Sequence, residues 1–135
     1  MSANAKTALE NLYARLGAGD AHGAAALFAD DVDWDIPGDT ALVPWIGKRR
    51  SRAEVLEFFT TLDRDHLDRD WLTAERILGD GDRAVALGDL RSTVRATGKV
   101  IETAFATDVT VNADGLITRY VFFEDSWRVA DAVRG

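Results

Sequence analysis

The chain has 135 residues, of which 47% are hydrophobic and 29% charged, the size and composition of one globular domain with its own core and not of a disordered chain. A formal net charge of −7 excludes nucleic acid and anionic membranes as natural partners. The absence of cysteine excludes disulfides, thiol nucleophiles and cysteine-held metals, and suits a reducing compartment such as the cytoplasm.

The first ten residues lack the basic stretch and apolar core of an export signal. The longest apolar run, Ala24 to Ala29, is far too short to cross a bilayer. Ala5, Ala8, Leu9, Leu12, Tyr13 and Leu16 recur at helical spacing, and Gly17 stops the helix. Asp20 is placed to cap a second short helix carrying Leu27 and Phe28. At Val32, Trp34 and Ile36 the period changes to two, which predicts a strand ended by Pro37 and Gly38. Asp39 to Gly47 has no regular period and reads as a loop carrying Trp45. The single basic cluster, GKRRSR at Gly47 to Arg52, reads as a solvated loop and helix start. Ser51 and Glu54 have capping-box spacing, and Val55, Phe58, Phe59 and Leu62 form the buried stripe of the helix they open. The run LDRDHLDRD, Leu62 to Asp70, interleaves acids with arginines and reads as a solvated segment. Neither His66 within it nor His22 has a partner at metal-binding spacing, so no metal site is expected.

From Trp71 onward the chain reads as a β-meander, with turn signals at Gly79 to Asp82, Thr97-Gly98 and Asn112 to Gly115. They separate four strands of roughly 8 to 14 residues, long enough for a strongly curved sheet. After Glu124 the pattern is helical again, with Trp127, Ala130 and Val133 spaced by three. Helices at both ends and a run of strands between them make an α+β chain. In the last strands both faces are apolar: Tyr120 and Phe122 alternate with Val121 and Phe123, and Phe105 and Val109 with Ala104 and Ala106. A sheet with one wet face is polar on that side. One face is therefore expected to cover an internal pocket and the other to pack on a second subunit, giving a homodimer.

This element order, with ALFADDVDWDIPG (Ala26 to Gly38), PWIGKRRSRAEVLEFF (Pro44 to Phe59), ADGLITRY (Ala113 to Tyr120) and FFEDS (Phe122 to Ser126), resembles the SnoaL-like and ketosteroid-isomerase-like proteins of the nuclear transport factor 2-like superfamily. The resemblance covers nearly the whole chain, which reads as a single domain over residues 1–135. It implies helices on a strongly curved antiparallel sheet, forming a cone around one internal apolar cavity that takes a small hydrophobic ligand. It implies enzymes that work without a cofactor, such as isomerases, cyclases and epoxide hydrolases, and also non-catalytic dimeric modules. The isomerases' aspartate base falls at Ile36, one residue after Asp35, and their second aspartate falls near Thr107 or Asp108. Of the epoxide hydrolases' arginine and two aspartates, the positions here hold Leu87, Asp89 and Phe122.

Three candidate catalytic residues follow. Asp89 is in phase with Val85 and Leu87 on an apolar strand, where burial raises a carboxyl's pKa and suits it to proton transfer; the alternative is a salt bridge with Arg91 or exposure at the strand's end. Tyr13 lies on the buried stripe of the first helix, where the isomerases hold an oxyanion by a tyrosine hydrogen bond; the alternative is a phenol satisfied by a backbone carbonyl. Glu124 is in phase with Tyr120 and Phe122, at the rim of the same cavity or at the strand's exit into water. Its neighbour Asp125 reads as a helix cap. Trp34, Trp45, Phe58, Phe59, Leu62, Leu87, Phe105, Tyr120 and Phe122 are the expected lining of the cavity.

Overall fold

A computed structural model describes residues 4–135; the first three residues of the stretch read for an export signal lie outside them. Helix α1 (Ala5–Gly17) is capped by Asn4, whose side chain accepts from the Thr7 N–H at 3.1 Å. Helix α2 (Ala21–Ala25) is capped by Asp20, which accepts from the Gly23 N–H at 2.8 Å. Strand β1 (Phe28–Ile36) starts earlier than its alternation suggests, so Phe28 belongs to the strand and not to the second helix. Strand β2 (Gly47–Ser51) runs straight into helix α3 (Arg52–Thr61), and a π-turn (Leu62–His66) follows. Then come β3 (Leu67–Asp80), β4 (Arg83–Val94), β5 (Val100–Val111), β6 (Ile117–Glu124) and helix α4 (Ser126–Arg134). The charge run therefore splits: its first half is the π-turn and its second half opens β3.

The six strands form one sheet in the order β2-β1-β6-β5-β4-β3. Every neighbouring pair is antiparallel except β1 and β6, which run parallel, so the sheet is mixed and not antiparallel throughout. Most of the chain separates these two strands, and no hairpin constrains their direction. The basic cluster, read as a loop, is the edge strand β2; its polar residues suit an edge that must not recruit another strand. β3 breaks register after Arg69 and again after Thr73, and such breaks bend a strand and increase its twist. The sheet curls around the helices without closing into a barrel.

The concave face carries the core. Trp34 and Ile36 on β1, Ala84, Ala86 and Leu90 on β4, Phe105, Thr107 and Val109 on β5, and Tyr120 on β6 are all buried. Helix α1 packs on β3, β4 and β5, and α3 on β1 and β2. Among the described residues, no helix is long and apolar enough to cross a membrane.

Candidate functional site

Between α1, α3 and the concave sheet lies a narrow chamber of about 80 Å³. Its walls are apolar: Leu16 from α1, Phe58 and Phe59 from α3, Trp45 from the preceding loop, and Leu72, Leu90 and Ile101 from the sheet. Four polar or ionisable side chains from two strands and α1 interrupt them, namely Tyr13, Arg69, Tyr120 and Glu124, with Ser92 beside them. Tyr13, Leu16, Leu67, Arg69 and Leu72 also line a wide outer groove of about 610 Å³. The groove is larger but open and strongly charged. The chamber is where apolar walls and titratable groups converge, the combination expected of a small-molecule site.

Glu124 ends the inner row of β6, opposite Phe105 on β5. It is partly buried, and neither an ion pair nor a hydrogen bond reaches its carboxyl among the described residues. Burial among apolar neighbours pushes it up to about 7, because removing water penalises the charged form. The adjacent acid behaves differently. Asp125 caps α4, accepting from the Arg128 N–H at 3.2 Å and pairing with the Arg128 guanidinium at 3.1 Å. Of the two acids that follow the aromatic run, one is the expected cap and the other faces the chamber.

Tyr13 reaches the chamber from α1, and its hydroxyl meets the Thr107 hydroxyl, 2.5 Å away, rather than a backbone carbonyl. Burial raises its phenol to about 12, so it keeps its proton at neutral pH and remains a donor. Thr107 is fully buried on β5; with Asp108 it is one of the two positions near which the resemblance places the isomerases' second aspartate. Tyr120 is likewise raised, chiefly by burial and then by Tyr13 and Glu124, with Arg69 acting in the opposite sense. Tyr120 thus feels the other three groups.

Asp89 requires correction. On β4 the residues turned inward are Ala84, Ala86, Gly88 and Leu90, so Val85, Leu87 and Asp89 point to the convex face. Asp89 is exposed there between Thr73 and Ala104, and Leu87, expected in the lining, is 42% exposed. Two other expected lining residues belong to the core. Trp34 has no exposed surface and stacks on Tyr120 with ring centres 4.0 Å apart, and Phe105 stacks on Phe122 at 5.3 Å. Trp45, Phe58, Phe59, Leu62, Tyr120 and Phe122 do line the chamber. Asp108 and Asp35 lie on the convex face, as alternation predicts. Asp108 is paired with Arg83 at 2.7 Å and Arg119 at 3.3 Å, which hold its carboxyl below the usual range.

Sequence reasoning missed Arg69, which it placed in a solvated segment. The signal was present: Leu67, Arg69 and Leu72 carry one inward row once the register break after Arg69 is allowed for.

The family model for the SnoaL-like domain matches residues 9–120. The curated protein Patulin synthesis protein F of Aspergillus clavatus is 28% identical over 101 residues, covering 73% of this chain and 50% of the relative, so the match spans about half that protein's length. Among solved structures, an NTF2-like protein from Burkholderia thailandensis has a TM-score of 0.85 at 24% identity, covering 98% of each chain. TerC co-crystallized with polyporic acid has a TM-score of 0.78 at 21% identity, covering 96% of this chain and 97% of that one.

Proposed function

We propose, for a chain that belongs to the SnoaL-like domain family, that the chamber takes the reactive end of a small hydrophobic carbonyl compound and moves a proton on it with side chains alone. Glu124 carries this reading: an unpaired carboxyl, raised to about 7 and facing an apolar space, is poised to take and return a proton near neutral pH. Tyr13 is the donor to the developing enolate oxygen. If Thr107 donates to the Tyr13 oxygen, the phenol proton is free to point at the ligand, and either direction is open to this pair. The reaction class is isomerisation, cyclisation or hydration. One structural neighbour was crystallised with polyporic acid, and a curated relative bears the name of patulin synthesis, which supports a small-molecule role.

At about 80 Å³ the chamber is well below the ~300–1,000 Å³ of drug-sized ligand sites. It fits the reactive end of a molecule, with the remainder lying in the adjoining groove. The same tightness supports a second reading, a non-catalytic association module whose interior is mainly core. Proton–deuterium exchange separates the two. A panel of enolisable ketones is incubated with the protein in deuterated buffer and followed by NMR. On the first reading, exchange at the carbon next to the carbonyl is accelerated, and Glu124→Gln lowers it by at least a hundredfold while ligand affinity changes less than about threefold. Exchange unaffected by the substitution removes Glu124 from the role; no exchange and no binding across the panel favours the module.

A further inference from the structure

Among the described residues Arg69 is the one cation that lines the chamber, and it lines the outer groove as well. The register of β3 places it there. Arg69 sits opposite Ser92 on the inward row of β4, while Trp71 pairs with Arg91 on the outward row, leaving Asp70 as the extra residue between them. This break keeps Arg69 in phase with Leu67 and Leu72, whose side chains share the same walls.

The other charged groups of the groove are committed elsewhere. Arg95 pairs with Asp68 at 2.9 Å and donates to the main-chain carbonyls of Asp63 and Arg64. Asp70 pairs with Arg91 at 3.4 Å and accepts from Thr93 at 3.1 Å. Arg69 has only Asp63, at 3.7 Å, and no hydrogen bond among the described residues. A guanidinium carries five N–H donors in a planar fork that matches a carboxylate. Here that fork is loosely held, 31% exposed, and set where the groove meets the chamber.

From this placement we propose that Arg69 selects an organic acid: a ligand whose carboxylate pairs with Arg69 at the mouth and whose ketone reaches inward toward Glu124. The proposal rests on the chamber being a ligand site. Arg69 and Glu124 stand three strand spacings apart, about 14 Å across the sheet, and their rows cross β4 at Ser92 and Gly88, which adds about 13 Å along the strands; both side chains and the curl shorten that span. A short linear oxo acid bridges it, with its apolar part against Phe58, Phe59 and Leu62.

The test compares 4-oxo-4-phenylbutanoate with its primary amide, which has nearly the same shape but no charge. Binding to the full chain is followed by tryptophan fluorescence in low-salt buffer, Trp45 lining the chamber and Trp71 the groove. The acid is expected to bind at least tenfold tighter than the amide, the scale of one charge-assisted hydrogen bond. Arg69→Gln should reduce the acid to the affinity of the amide and leave the amide unchanged. Asp63→Asn, which removes the competing carboxylate and leaves the wall intact, should tighten the acid severalfold. Equal affinity of acid and amide for the wild-type chain, or a preference that survives Arg69→Gln, overturns the role of Arg69 while the chamber remains a ligand site. If neither compound binds and no ketone in the exchange panel is turned over, the reading of the chamber itself falls.

Discussion

A carboxyl at the end of a strand ordinarily meets water or a cation, and Glu124 meets mainly apolar side chains. Its ordinary value of 4.5 is raised to about 7, and the sign of the consequence follows from proton counting. Between those values the folded chain holds a proton that the unfolded chain has released, so stability falls as pH rises. The contribution is complete below 4.5 and lost as pH passes about 7. Partial exposure limits it to about 1–3 kcal/mol. Asp108 works in the opposite sense, being held low by Arg83 and Arg119; its contribution is present above the ordinary 3.8 and disappears only below it, outside the window in question. Urea denaturation at pH 5 and pH 8 should therefore show the wild-type chain losing about 1–3 kcal/mol at the higher pH, and Glu124→Gln losing little. Equal losses in the two proteins would assign the pH dependence to another group. Because proton abstraction needs the ionised carboxyl, activity should rise with pH around the same value.

At the scale of elements, the outcome at β4 explains which parts of the site were readable. Periodicity located β4 and gave its phase, but not which phase faces in. The bulky apolar residues Val85 and Leu87 suggested the inner row, yet the inner row is Ala84, Ala86 and Gly88, because α1 packs directly on this strand and close helix-on-sheet approach needs small side chains. Asp89 was misplaced by that one inversion. Helix caps at Asp20, Ser51 and Asp125 were legible because capping is local chemistry. The β1–β6 pairing and edge strand β2 were not, since both depend on partners distant in the chain. Gly88 belongs to the same packing. A Cβ there would lie 1.9 Å from the Thr73 carbonyl oxygen and 2.9 Å from the Phe105 ring, and Thr73 borders the second register break of β3. Gly88→Ala must push β3 or Phe105 aside. Overpacking of this kind costs about 1–3 kcal/mol, and Phe105 bears on the lining residue Phe122. The variant should melt several degrees lower with weakened ligand binding; an unchanged melting temperature would mean that the bulge yields without cost.

At the scale of the whole molecule, the convex face leaves several large apolar side chains exposed. Leu78 lies beside Val85, and Leu87, Ala106 and Phe123 stand side by side on β4, β5 and β6. Leu78 and Phe123 are each 48% exposed. Scattered exposed apolar residues are ordinary, but these adjoin one another across four strands, which marks an interaction surface. The expected partner is a second copy of the chain, packing this face on the same face about a two-fold axis, so that residues of the patch meet other residues of the same patch. Light scattering at micromolar concentration should then return twice the monomer mass, and Leu87→Asp, which places a charge in the row, should return the monomer while the far-ultraviolet circular dichroism stays native. Asp89→Asn makes the complementary point. Its side chain stands on the convex face next to that row, so proton exchange at the chamber should remain at the wild-type level. A wild-type chain that is monomeric throughout that concentration range would leave the convex face without a homodimeric role and would direct the search to a different macromolecule.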